Sequence, residues 1–293
     1  MMTTALALAQ EVKTRKLFSL PDIVIRLNTL LEQPSVTNIQ VGELLMSDPA
    51  LAARTLKVAN SALYSLPSKV ETISTAIALL GLDRIRNLVF TTCVADAFKD
   101  IPAEWVDMDR FWLNSVGCGV FARSLAFRRR IFDAEPLFMA GLLHKVGRLV
   151  FYCCRPDEYR QVLLSKDEGE AAMIREEVRV FGFSHALLGA ELLKLWHLPE
   201  RLHAIVAHYP QPLSSIDYQT ESAIVNIASE LSPIIEPGVS LAELISEESI
   251  TVNPEIWGFL GLADETLPAV IQDAWVQTFD ILHVIRPSIH SAY

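Results

Sequence analysis

The chain has 293 residues, of which 51% are hydrophobic and 20% charged, with a formal net charge of −10 and a pI near 5.2. That much apolar surface excludes a disordered chain, and the acidic balance disfavours nucleic acid as a bulk partner, since such partners ordinarily meet a basic footprint. The length suits one large domain or two modest ones.

Apolar residues recur with helical spacing along nearly the whole chain. Leu20, Ile23, Val24, Leu27, Leu30 and Leu31 line one helix face, with Ser19 as the expected N-cap and Asp22 in the first turn. Asp48-Pro49 opens another helix, a capping residue followed by proline at the first helical position. Leu51, Thr55, Leu56, Val58 and Ala59 form its buried stripe. Ile73, Ala76, Ile77 and Leu80 form the next, stopped by Gly81, and Asp83 is expected to cap a helix carrying Ile85, Leu88, Val89 and Thr92. These segments predict an N-terminal helical lobe over residues 1–105, bounded by the acidic break at Lys99–Asp109 that holds Pro102.

Helices resume with a long amphipathic one at Arg110–Ile131. Glu135-Pro136 starts one expected to run unbroken through His144 and Gly147 to Cys153 and Cys154. Shorter helices follow at Pro156–Lys166 and Glu168–Phe181. Ser184 caps another that ends near Trp196, and Pro199 begins the one holding His203 and His208. After the break Tyr209-Pro210-Gln211-Pro212, a helix at Tyr218–Leu231 completes a bundle over residues 106–235. Pieces at Leu241–Ser246, Pro254–Leu260 and Ala263–Val284 make a C-terminal helical extension over residues 236–293. No repeat, low-complexity tract or convincing strand interrupts this all-α pattern.

The four cysteines, Cys93, Cys118, Cys153 and Cys154, lack C-x-x-C spacing and read as buried thiols of a reducing compartment. The start lacks the pattern of a signal peptide. No apolar run approaches the roughly 18 residues of a membrane helix. The expectation is a cytoplasmic protein with no membrane partner.

Nucleophile elbows and glycine-rich phosphate loops are absent. His203 and His208, five apart, lie roughly 140° apart around a helix and do not form a zinc pair. Arg128-Arg129-Arg130, the one basic run, reads as a solvated helix end. The segment Leu142-Leu143-His144-Lys145-Val146-Gly147 differs, because it sets a histidine on an otherwise apolar helix.

A series of short motifs gives that histidine a context. In order they are Asp48-Pro49-Ala50-Leu51, Ala59-Asn60-Ser61-Ala62-Leu63-Tyr64, Ala76-Ile77-Ala78-Leu79-Leu80-Gly81, Phe111-Trp112-Leu113-Asn114-Ser115 and Gly141-Leu142-Leu143-His144. Phe181-Gly182-Phe183-Ser184-His185 and Gly189-Ala190-Glu191-Leu192-Leu193 follow, then Trp196-His197-Leu198-Pro199, and His208 closes the series. Over residues 17–212 the chain resembles the HDOD family, the HD-related output domains. The resemblance implies an HD-like helical bundle with an added N-terminal helical lobe.

HD phosphohydrolases hold metal with a histidine, a His-Asp pair and a distant aspartate. Imidazoles supply neutral nitrogens and carboxylates neutralise the ions, which then activate water against a phosphoryl group. By resemblance, Asn114 stands at the first histidine. His144 is retained but is followed by Lys145 in place of aspartate. Ser229 after Ala228, or alternatively Asn226, stands at the last aspartate. Lysine in place of a carboxylate would repel a divalent ion about 4 Å away by up to roughly 8 kcal/mol at an effective dielectric near 20.

The resemblance therefore implies no enzyme, no metal and no cofactor, but a bacterial signalling module that acts through a regulatory protein partner of unknown identity. Asn114, His144, Lys145, His185, His208 and Ser229 are the vestigial-site or ligand-binding candidates. Two other readings use the same residues. His144, His185 and His208 could retain a weak metal site for residual phosphohydrolase activity, or Lys145 and the histidines could bind a small anion or nucleotide without hydrolysing it.

Overall fold

The computed structural model describes residues 4–14, 18, 20–98, 101, 102, 104–239, 241, 250 and 252–285. Every regular element among them is helical. Two compact units emerge, Met1–Phe18 with Ile101–Ala274, and Ser19–Asp100 with Trp275–Tyr293. Helix α1 (Ala5–Thr14) belongs to the first of these and packs on helices 185–195 and 146–154. An N-terminal lobe over residues 1–105 would have included it.

The smaller unit holds α2 (Asp22–Leu31), α3 (Asn38–Met46), α4 (Pro49–Ala59), α5 (Ile73–Leu80) and α6 (Leu82–Val94). Its helix starts follow capping chemistry. Thr37 and Gln40 form a capping box at α3, Asp48 accepts from the Leu51 amide at 3.0 Å, and Thr72 accepts from the Thr75 amide at 3.1 Å. The Ser19 cap expected for α2 lies outside the described residues. Asp83 is not a cap. Gly81, at φ +81°, both ends α5 and starts α6, so Asp83 falls inside the first turn and pairs with Arg86. Only glycine adopts that backbone without strain.

Leu51, Val58, Ile73, Ile77, Ile85, Leu88 and Val89 form this unit's buried core. Asn60 clasps the loop that follows α4. Its amide donates to the Val70 carbonyl at 2.7 Å and its carbonyl accepts from the Val70 amide at 2.8 Å.

The larger unit is built around α7 (Met108–Arg128), whose residues Ser115 to Ala126 are all buried. A helix enclosed all round needs neighbours on every side, and α7 packs on α8 (Glu135–Leu143) and on α14 (Gln219–Leu231). Glycine sets the first crossing. A Cβ on Gly141 would lie 2.6 Å from Gly119 Cα, so the α7 and α8 backbones touch directly.

The helix expected to run from Glu135 to the cysteines breaks at His144-Lys145 into α8 and α9 (Val146–Cys154). Together Glu135–Cys154 are apolar enough, by length and composition, to cross a membrane, yet 83% of that window is buried within the fold. There follow α10 (Pro156–Leu163), a 3-10 turn at Lys166–Glu168 and α11 (Glu170–Phe181). Next come α12 (His185–Leu195), α13 (Glu200–His208), α14, α15 (Pro254–Leu260) and α16 (Leu267–Ile285). Apart from Leu241, the helix expected at Leu241–Ser246 lies outside the described residues.

Candidate functional site

The break between α8 and α9 sits in the middle of the larger unit and places His144 at the end of α8. Gly147, one turn later, packs against α12. A Cβ there would overlap the His185 carbonyl oxygen and lie 2.8 Å from the Gly189 amide. The two glycines let α9 and α12 approach closely enough to bring His144 and His185 into one buried cluster with Tyr209. The Tyr209 ring meets His144 edge-on at 5.1 Å and His185 at 5.9 Å, centroid to centroid.

Neither histidine has a nitrogen to spare. His144 Nδ1 lies 2.6 Å from the Gly141 carbonyl, which can only accept, so Nδ1 carries the proton. Its Nε2 then accepts from the Ser229 hydroxyl at 3.2 Å. His185 Nδ1 donates to Glu177 Oε2 at 2.7 Å, and its Nε2 accepts from the Tyr209 hydroxyl at 2.6 Å. Burial, reinforced at His144 by the Lys145 ammonium, pushes His144 well below the ordinary histidine range. Burial likewise lowers His185, against the pull of Glu177.

Glu177 anchors the cluster and is fully buried. One oxygen accepts from Tyr159 at 2.7 Å and from Arg148 Nε at 3.2 Å, and the other from the His185 amide at 2.8 Å and from its ring. Burial opposes its ionisation, but the His185 bonds and the Arg148 guanidinium outweigh burial and hold the carboxyl at about 2. Arg148 continues into Glu170, with Nη2 2.8 Å from Oε1 and Nη1 3.1 Å from Oε2. Lys145 Nζ meets the same Oε2 at 3.3 Å. Two cations thus balance two carboxylates.

The Phe181–His185 motif explains how the anchor is delivered. Phe181 and Phe183 flank Phe151 in a stack. Gly182 ends α11 in the left-handed conformation at φ +84°, and Ser184 caps α12. His185 therefore opens α12 with both its amide and its ring aimed at Glu177 on the preceding helix.

Of the residues singled out from sequence, His144, Lys145, His185 and Ser229 come together. His208 does not, since it is exposed at the end of α13 and its neighbour Tyr209 turns inward. Asn114 lies half-buried on α7, one turn before Cys118, and none of the cluster's hydrogen bonds described above involves it. Asn226 donates to the Tyr209 backbone carbonyl at 3.0 Å and makes no hydrogen bond to either histidine ring described above. Sequence reasoning missed Arg148, Tyr159, Glu170, Glu177 and Tyr209. One signal was present: Glu177 shares the buried face of α11 with Met173, four residues before it, and a carboxylate in an apolar stripe needs a partner.

A family model for the HDOD domain matches residues 17–212. The chain belongs to the HDOD domain family. Its fold is shared with an HDOD domain protein of unknown function from Geobacter sulfurreducens, at 28% identity and a TM-score of 0.68, covering 96% of this chain and 97% of that one. It also resembles a protein named as a candidate phosphohydrolase from Shewanella amazonensis SB2B, at 23% identity and a TM-score of 0.73, covering 97% and 98%. A candidate signal transduction protein from Marinobacter aquaeolei VT8 matches at 20% identity and a TM-score of 0.65, covering 94% of this chain and 60% of that one. An uncharacterized protein of Treponema pallidum (strain Nichols) is 26% identical over 219 residues, which make up 71% of this chain and 42% of the relative.

The HDOD pocket does not fit the metal centre of HD phosphohydrolases. Among the described residues no three His, Cys, Asp or Glu side chains assemble as a ligand group. The histidine lone pairs meet the Ser229 and Tyr209 hydroxyls, Arg148 engages both carboxylates, and an ammonium follows His144 where the resemblance places an aspartate. The thiols nearby offer no substitute, because burial pushes Cys118 far above the usual thiol range.

Proposed function

We propose that this HDOD chain is a non-catalytic regulatory module of bacterial signal transduction, working in the cytoplasm through contacts with another regulatory protein. One observation carries the reading. Around His144, where the resemblance puts a metal ligand, lies a charge-balanced network of Lys145, Arg148, Glu170 and Glu177 with two fully engaged histidines. A network of this kind fixes geometry, and both histidines spend their ring nitrogens inside it, where neither is left to hold a metal that would activate water. The acidic surface, at net charge −10, suits protein partners better than nucleic acid.

The test is phosphodiester hydrolysis of bis(p-nitrophenyl) phosphate with added Mn²⁺, Mg²⁺ or Zn²⁺, comparing wild type with His144→Ala. The expected result is the same background rate in both. A metal-dependent rate that His144→Ala abolishes would overturn the proposal.

A further inference from the structure

Glu170 differs from the other charges in the network. Its side chain is 37% exposed, against 9% for Arg148, 15% for Lys145 and 0% for Glu177, although its Oε1 is itself enclosed. It is also the first residue of α11. Before it stands Gly169 at φ +92°, where a Cβ would meet nothing within 4 Å. Release of Glu170 would need only rotation about its own side-chain bonds, with the packed part of α11 held in place through Glu177.

Once Glu170 leaves, Arg148 and Lys145 face Glu177 alone, two cations against one carboxylate. Both cations are too enclosed for water to compensate them well. The position favours an incoming anion, and the departing carboxylate gives its shape. One oxygen site lies 2.8 Å from Arg148 Nη2, and the second is shared between Arg148 Nη1 at 3.1 Å and Lys145 Nζ at 3.3 Å. A guanidinium fork and an ammonium converging on two oxygens match a phosphate group as well as a carboxylate.

We infer that Lys145 and Arg148 form a binding site for a phosphate-class oxyanion, which Glu170 fills with its own carboxylate in the absence of ligand. Exchange of the ligand for Glu170 frees the first turn of α11 at the protein surface, and so links occupancy to surface shape. The inference rests on the reading of the pocket as metal-free.

The test titrates inorganic phosphate, and separately glycerol 3-phosphate, into the full chain by calorimetry, with and without EDTA. Wild type, Glu170→Gln and Glu170→Gln with Lys145→Met are compared. Removing the competing charge is expected to tighten phosphate binding by about tenfold or more, and Lys145→Met to reverse that gain. A gain for both ligands places the ester tail in solvent, and a gain for inorganic phosphate alone restricts the site to the free ion. Either supports the site.

A folded Glu170→Gln that binds phosphate no better than wild type overturns the inference. Binding that EDTA abolishes overturns the metal-free reading instead. Should Glu170→Gln fail to fold, wild type against Lys145→Met decides. Phosphate is expected to raise the wild-type Tm above a chloride control of equal ionic strength, and to leave that of Lys145→Met unchanged. Equal shifts in the two proteins would sink the inference.

Discussion

Gly147 on α9 lies directly against the His185 carbonyl at the start of α12, with no room for a side chain between them. This contact positions both histidines of the pocket, because His144 precedes Gly147 by one turn and His185 supplies the touching backbone. Gly147→Ala must push α9 and α12 apart and is expected to cost about 3 kcal/mol or more, since backbone cannot yield as a flexible side chain can. Gly258→Ala on α15 meets nothing within 4 Å and is expected to be neutral or stabilising by up to about 1 kcal/mol. Urea denaturation of the two variants checks the contrast. Equal effects would show that the helix crossing is not tight.

Glu177 holds the network together from a position with no solvent exposure. Glu177→Gln leaves Arg148 buried with half its compensation and should destabilise by about 3–5 kcal/mol. The ion pair of Arg110 with Glu236 has similar geometry, at 3.1 Å, but its side chains are 65% and 52% exposed. Glu236→Gln should change stability by less than about 1 kcal/mol. Thermal unfolding of both variants separates a buried network from surface charge pairing, and a small loss for Glu177→Gln would refute the network's structural role.

The same groups set the response to acid. His144 and His185 lie below the ordinary histidine value of 6.5 because they are buried. The unfolded chain therefore takes up protons that the folded one refuses, and their contribution is full above pH 6.5 and declines as pH falls. Glu177, held at about 2 against an ordinary 4.5, contributes above 4.5 and loses that contribution as pH falls toward 2. Stability should be flat between pH 7 and the ordinary thiol range near 9, where the buried cysteines begin to oppose folding, and should fall below pH 6.5 by up to about 1.4 kcal/mol per pH unit per histidine. Urea midpoints across pH measure this, and His144→Gln should flatten the slope between pH 7 and 5. A slope unchanged in that variant would remove His144 from the account. Nitrogen-15 NMR should also find both rings as neutral Nδ1–H tautomers at pH 7.

The helical class and four residues of the buried cluster were legible in the sequence. Apolar periodicity marked α2, α4, α5 and α6, and the HDOD-like motifs pointed to His144, Lys145, His185 and Ser229. What escaped was decided by direction and not by residue type. His208 and Tyr209 are adjacent at the end of α13, and only the fold shows that the tyrosine turns in while the histidine turns out. Glu170 and Glu177 could not be matched to partners from sequence, even though Glu177 falls on the apolar face of α11, because partners for both come from α9, more than twenty residues earlier in the chain. The boundary of α11 shifted because Gly169 takes a positive φ that ends the 3-10 turn before it. Similarly, α8 and α9 part at Lys145, where apolar spacing alone gives no sign of a break.

On the proposed reading, His144 and His185 are held in an internal ion network and not in a metal centre. The most direct test is elemental mass spectrometry on tag-free protein purified without chelators. The expected result is transition-metal content near zero, with no rise in Tm on adding Mn²⁺ or Zn²⁺. Near-stoichiometric metal, lost on changing His144 or His185, would show a metal centre in place of the ion network.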